Sequence, residues 1–413
     1  MKKYFYIYFT CLLFFLPNTA NSLGVLSHAA IIDAAWDKDI VPLLKAKYPK
    51  TTAEELKTAH AYAYGGAITP DMGSYPLSSV LFSHLVHYVR TGDMVDALIS
   101  EARTINEYAF ALGFLSHYYA DNYGHALATN RSVPLTYPKL VRKYGTIITY
   151  AEDATSHARM EFGFDVLQLA KGNYTNQAFN DFIGFKVDTS VLARAFYKTY
   201  GLDINVIFKN RLNTVIEIFR FMVASVVPAI TKVAWASKGS EIEKQHPGIT
   251  RRSFIYKFRL RQYNKTHGTG YRPHGFIPKL LSFVIRVMPK VGPIKHLKFK
   301  VPTALSETYL HQGLDSILLH YTANLDPAKI NTTRSNKDYD TGNPTAACEY
   351  PLTDEAYGTW VLKLKKEGYK TVTPAIRENI KGYYNAYPQR PTSKDCIEVF
   401  NAVEDIKNTA PNK

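Results

Sequence analysis

Five side chains able to bind a metal recur at one-turn intervals in two short stretches of this chain. His117, Asp121 and His125 stand four residues apart in ALGFLSHYYADNYGHALATN, and His157 and Glu161 repeat that interval in SHARMEFGFD. An α-helix completes a turn in about 3.6 residues, so positions i, i+4 and i+8 share one face. Imidazole nitrogen and carboxylate oxygen are the ligands zinc takes where cysteine is absent. One such interval alone describes a packed helix with a polar seam. Two of them close together favour a metal held between helices.

The surrounding pattern agrees with helices. From Leu23 to about Trp235, apolar residues return every three to four positions in runs such as IIDAAWDKDIVPLLKAKY, DMVDALISEARTINEYAFALGFLSHYYAD and HARMEFGFDVLQLAKG. Period-two strand patterns are scarce, so the fold class is all-α. Turn chemistry predicts loops at GGAITPDMGSYP and NRSVPLTYP. VIEIFRFMVASVVPAITKVAW is strongly apolar, but Glu217, Arg220 and Pro228 interrupt it, which points to a buried helix rather than a membrane span. At 413 residues the chain can bury a large core without covalent or metal staples, and its length permits two or three domains.

The first 22 residues read as a secretory signal: Lys2 and Lys3, an apolar run from Tyr4 to Leu16, then Ala20 and Ser22 before a cut after Ser22. The expected location is secreted or periplasmic. Removing this segment takes Cys11 with it and leaves Cys348 and Cys396, a pair that an oxidising compartment could join as a disulfide. Residues 23–240 form the expected helical catalytic domain and 241–330 a basic amphipathic helical extension packed on it. Residues 331–413 form a C-terminal region, loop-rich up to Cys348 and helical afterwards. No Asp or Glu occurs from Gln245 through Ser306, where FIPKLLSFVIRVMPKVGPIKHLKFK mixes bulky apolar residues with single cations. Such a stretch suits an anionic membrane surface or a polyanion, and equally a packed helix whose cations reach solvent. The net charge of +15 points the same way, towards acidic partners.

Further candidate ligands precede the paired intervals: His28 in LGVLSHAAIIDAAW, Asp71 in TPDMG, and His84 and His87 in LFSHLVHYVRTG. In this order they resemble the zinc-dependent phospholipase C superfamily, which includes the single-strand-specific nucleases and the catalytic part of GPI-specific phospholipase D. The resemblance is carried by LGVLSH, TPDMG, HYYADNYGH and HARME and covers roughly Leu23 to Asp165. It implies a helical bundle enclosing three zinc ions. Asp71, one of His84 and His87 (His87 being preferred on VHYVR), His117 and Asp121 would hold the first. His125, His157 and Glu161 would hold the second. Asp121 would bridge to a third, bound by His28 and by the α-amine and carbonyl of a mature Leu23. Bacterial phospholipases C and fungal nucleases begin with Trp at that position, and a Leu removes a ring that packs on the site. The Leu23-to-His28 spacing resembles the nuclease branch, whereas the tight His117–Asp121–His125 spacing resembles the GPI-phospholipase D branch.

Three functions fit these residues. The first is a zinc phosphodiesterase of the phospholipase C type that acts on a phospholipid headgroup, with Asp71 orienting the attacking water or accepting its proton. The second is a nuclease or nucleotidase with the same metals, for which a basic surface and some of the 30 Tyr and 22 Phe would serve as a groove and stacking platforms. The third is a non-catalytic envelope protein with structural zinc; the carboxylate-rich ligand set speaks against it, since it suits metals with an open position.

Overall fold

The computed structural model describes residues 24–75, 77–171, 184–223, 238–245, 299–387 and 394–408. The signal segment, Leu23 and most of the basic stretch (246–298) lie outside the described residues, as does 224–235 of the apolar run. Among the described residues the architecture is all-α, with no strand and one isolated antiparallel bridge, Lys337 to Pro344. No described helix is long and apolar enough to cross a membrane.

The helices run in chain order as α1 (Val25–Ala35), α2 (Val41–Lys47), α3 (Ala53–Ile68), α4 (Val80–Tyr88), α5 (Thr91–Glu101), α6 (Ile105–Gly124) and α7 (Asn130–Thr136). They continue as α8 (Val141–Tyr144), α9 (Tyr150–Lys171), α10 (Thr189–Tyr200), α11 (Ile204–Ile207) and α12 (Leu212–Phe221). After the undescribed stretch come α13 (Ala304–Asn324), α14 (Pro351–Lys366), α15 (Pro374–Asn385) and α16 (Lys394–Asn408). Several helix starts follow ordinary capping chemistry. Thr52 and Glu55 form a reciprocal capping box at α3, and Thr104 accepts the Glu107 amide at α6.

Helices α3 and α6 form the central pair. Ala59, Ala63 and Ala67 of α3 meet Ala109, Phe110 and Leu112 of α6 in a fully buried seam. Their backbones touch where glycine stands: a Cβ on Gly66 would lie 2.0 Å from Phe110 O, and one on Gly113 would lie 2.0 Å from Ala63 O. The sequence reading placed a loop from Gly65 onward. Instead, Gly65 and Gly66 lie inside α3, neither with positive φ: Gly66 allows the close approach of α6, and Gly65 that of the Lys186 backbone. The loop expected at NRSVPLTYP is likewise mostly helical, as α7, with Pro134 inside it. Proline lacks the N–H that would bond Asn130 O, and the amide of Ile148 donates to that carbonyl at 3.0 Å in its place.

One hydrophobic core runs from Ala29 to Ile406, so α13 to α16 share it with the first helices. Helix α13 lies along α6, and α14 packs on α4. There the fully buried Trp360 donates its indole N–H to Tyr200 O at 2.9 Å. Full burial of each such large side chain contributes about 1.5–3 kcal/mol. Cys348 carries a free, exposed thiol, and the side chain of its expected partner Cys396 lies outside the described residues.

The α3–α6 contact yields a stability prediction. Gly113→Ala should lower unfolding free energy by roughly 1–3 kcal/mol, because the added methyl meets backbone that cannot yield without moving a helix. In Gly382→Ala the new Cβ meets nothing within 4 Å on an exposed face of α15. That change should be neutral or stabilising by about 0.5–1 kcal/mol. Urea unfolding of the two variants beside the parent protein measures both.

Candidate metal centre

The candidate ligands that reach the centre come from several local settings. His28 sits in the first turn of α1. Asp165 anchors that turn: its carboxylate accepts the amides of Leu26 and Ser27, both at 3.1 Å, and the Ser27 hydroxyl at 2.7 Å. Asp71 lies in the 3-10 turn Thr69–Ser74 that follows α3. The Ser83 hydroxyl of α4 accepts the Gly73 amide at 3.0 Å and so ties this turn to the helix that carries His87. His117 and Asp121 share a face of α6. His125 opens a one-turn π-helical segment, His125–Thr129, which inserts extra backbone where the stripe meets α9. In α9 the backbone breaks at Asp153, whose carboxylate caps the Ser156 amide at 2.7 Å. His157 and Glu161 therefore stand in the first two turns of a freshly started helix.

The side chains converge in three buried groups: His28, His117 and Asp121; Asp71, His87 and His117; and His125, His157 and Glu161. Asp121 stands at the junction. Its Oδ2 is 3.0 Å from His117 Nε2 and 3.5 Å from His87 Nε2, while its Oδ1 is 3.4 Å from His28 Nε2 and 3.9 Å from His125 Nε2. Glu161 Oε1 stands 3.0 Å from both His125 Nε2 and His157 Nε2. His117 belongs to two groups, and its ring stacks on His28 with centroids 4.3 Å apart. His84 lies apart, its ring edge-on to Tyr88. Leu23 lies outside the described residues.

Hydrogen bonding determines what these rings can do. His117 Nδ1 lies 2.8 Å from Ala67 O and His87 Nδ1 2.8 Å from Ser83 O. A carbonyl only accepts, so both Nδ1 atoms carry the proton and donate it. In the neutral rings both Nε2 atoms then present lone pairs, 3.4 Å from each other and directed at the carboxylates of Asp71 and Asp121. Acceptors facing acceptors in a dry site require cations between them. This donor set of imidazoles and carboxylates fits zinc, and the second ring nitrogens of His87 and His117 are already tied to backbone acceptors, as metal-bound histidines require.

Protons fill the same role when no metal does. Burial pulls the His87 imidazole down, but Asp121 and Asp71 outweigh it and push its pKa up to about 10. His125 is likewise raised by Asp121 despite its burial. Burial favours the protonated form of Asp121, but His117 and His125 hold its carboxyl well below the usual range. Burial raises Asp71, whereas burial and the neighbouring His117 push His28 well down. Metal binding must therefore release protons, and affinity should fall as pH falls.

Two acidic residues beside the cluster escaped the sequence reading. Asp165 continues the four-residue interval of His157 and Glu161, so the periodicity contained it; burial pushes its pKa up to about 7. Asp340 lies in the C-terminal region, with Oδ1 3.3 Å from His125 Nδ1. Nothing in the local pattern of SNKDYDTGN ties it to residues more than 200 positions earlier.

No curated protein and no solved structure matches this chain. A model of the zinc dependent phospholipase C family matches residues 27–210, a span that takes in every candidate ligand from His28 to Glu161 and ends well before Asp340. By that match, residues 27–210 are similar to the zinc-dependent phospholipase C family, in keeping with a helical fold whose buried imidazoles and carboxylates suit zinc.

Proposed function

We propose that the protein is a secreted or periplasmic zinc-dependent phosphodiesterase that hydrolyses the headgroup phosphodiester of a phospholipid. The observation that carries this reading is that His117 belongs to two adjacent ligand groups while Asp121 stands within 3.9 Å of four imidazoles, which suits a cluster of metals rather than one structural ion. Asp71, His87, His117 and Asp121 would hold one zinc, and His125, His157 and Glu161 a second. His28 and Asp121 would hold a third together with the main chain of a mature Leu23. Bound zinc supplies a water of lowered pKa and neutralises charge on the phosphoryl group. The protein's own residues supply the rest. His117 and His87 keep their Nε2 lone pairs aimed inward because Ala67 O and Ser83 O hold the opposite nitrogens. Asp71, a buried carboxylate with a raised pKa, is suited to take up the proton of an attacking water. The basic N-terminal start and its short apolar run support export, and the acid-free stretch 245–306 suits contact with an anionic membrane surface.

Three measurements test this reading. Protein that begins at Leu23 should contain three zinc ions per chain by elemental analysis, and two when one extra residue precedes Leu23. His87→Ala should lose metal while His84→Ala keeps the full complement; equal metal in both would remove His87 from the site.

Zinc also adds stability by mass action, about 2.7 kcal/mol per site at a free concentration 100-fold above Kd. Chelation should therefore shift thermal unfolding downward, and zinc should restore it.

Vesicles of phosphatidylcholine, phosphatidylethanolamine, phosphatidylserine or phosphatidylinositol should release headgroup in a chelator-sensitive way. Asp71→Asn should lower kcat by roughly 10²- to 10⁴-fold, the usual contribution of a positioned acid or base. Release from none of the four, with salt-sensitive degradation of single-stranded DNA instead, would assign the site to a nuclease.

A further inference from the structure

The family match ends at residue 210, yet a loop some 130 residues later closes over the ligand cluster. Tyr339 donates its amide to His87 O at 3.1 Å, and its ring lies 5.1 Å from that of His87 and 5.8 Å from that of His117. The loop is a tight turn. Asp338 Oδ1 accepts the Thr341 amide at 2.7 Å, and Gly342, at φ 72°, sits so close to α6 that a Cβ would lie 2.3 Å from Asn122 O.

Between these contacts stands Asp340, almost fully buried. Its Oδ2 accepts two phenol hydroxyls, from Tyr88 and Tyr350, each at 2.7 Å. Its main-chain carbonyl accepts the Asn130 side-chain amide at 2.7 Å. With Oδ2 engaged, Oδ1 faces His125 Nδ1 at 3.3 Å. Among the described residues no Lys or Arg pairs with this carboxylate. A buried carboxylate is costly without a partner, and the imidazole of His125 is the partner present.

We infer that Asp340 is a positioning residue of the metal centre: it holds His125 with Nδ1 protonated and so turns the Nε2 lone pair towards Glu161 and His157. The inference rests on the metal-site reading above. Two of the other rings receive this service from helix backbone, His117 from Ala67 O and His87 from Ser83 O. His125 stands on the π-helical turn with no backbone acceptor at Nδ1, and the carboxylate of Asp340, 3.3 Å away, is the acceptor within reach. An anionic acceptor raises the basicity of the opposite nitrogen more than a carbonyl does, so Asp340 strengthens His125 as a ligand. It also explains why a loop outside the family-matched span is built so tightly against α4 and α6: the second ligand group is incomplete without it.

The test is zinc competition titration with a chromophoric chelator on the whole protein, together with cobalt(II) absorption spectra. Asp340→Ala should weaken one bound metal by roughly 10- to 100-fold, the usual cost of removing such a partner, and leave the others at parental affinity. Asp340→Asn, which still offers an oxygen to Nδ1–H, should lose less and show an altered cobalt spectrum. Tyr350→Phe, which removes a donor from Oδ2 but leaves Oδ1 in place, should lose least. Parental affinity at every metal in Asp340→Ala overturns the inference. So does equal weakening of all metals, which would reduce the loop to general packing over the cluster. If Asp340→Ala does not fold, Asp340→Asn decides by the same criteria. A parent protein that binds no zinc would instead overturn the metal reading itself.

Discussion

A fully buried carboxylate surrounded by imidazole nitrogens whose protons point elsewhere is the constraint on which this structure turns. Asp121 has no water-exposed surface, and four rings present Nε2 to it within 3.9 Å. For His117 and His87 the opposite nitrogen is already bonded to a main-chain carbonyl, so neither neutral ring can donate to Asp121. Such an arrangement is stable only with cations or extra protons in its midst. The raised pKa of His87 and the depressed pKa of Asp121 express the same demand met by protons.

The fold serves that demand by bringing α3 and α6 unusually close. Ala67 can offer its carbonyl to His117 only because Gly66 and Gly113 let the two backbones touch. A single methyl at either position would separate the helices, and with them the acceptor that fixes the tautomer of His117. Packing and chemistry share the same atoms here. That is why the alanines and glycines of TAHAYAYGGAI lie buried at the centre of the molecule rather than on its surface.

What was legible in the sequence is what depends on local periodicity. His117, Asp121, His157 and Glu161 could be placed because four-residue spacing dictates a shared helical face, and the same rule would have yielded Asp165. The glycine pair at 65 and 66 misled, since glycine marks both turns and close backbone contacts and only the packed partner distinguishes them. Pro134 misled for a related reason: the amide of Ile148 compensates the hydrogen bond it removes. Asp340 was beyond reach because its relation to His125 is made wholly by tertiary packing, through Tyr88 and Tyr350.

Helix α9 connects these elements in one further way. His157 and Glu161 face the cluster, and one turn on Asp165 binds the amides that open α1, the helix of His28. Gly24 packs so tightly there that any Cβ would overlap the Asp165 carboxylate. The first described residues are thus registered against the same helix that carries two metal ligands, and a shift of α1 by one residue would displace His28 from Asp121. Asp165 accepts three hydrogen bonds at the start of a helix, where backbone N–H groups otherwise lack partners. Its placement makes the position of His28 a consequence of α9 rather than of the α1 sequence alone. Two helices distant in sequence therefore deliver their ligands in a shared register.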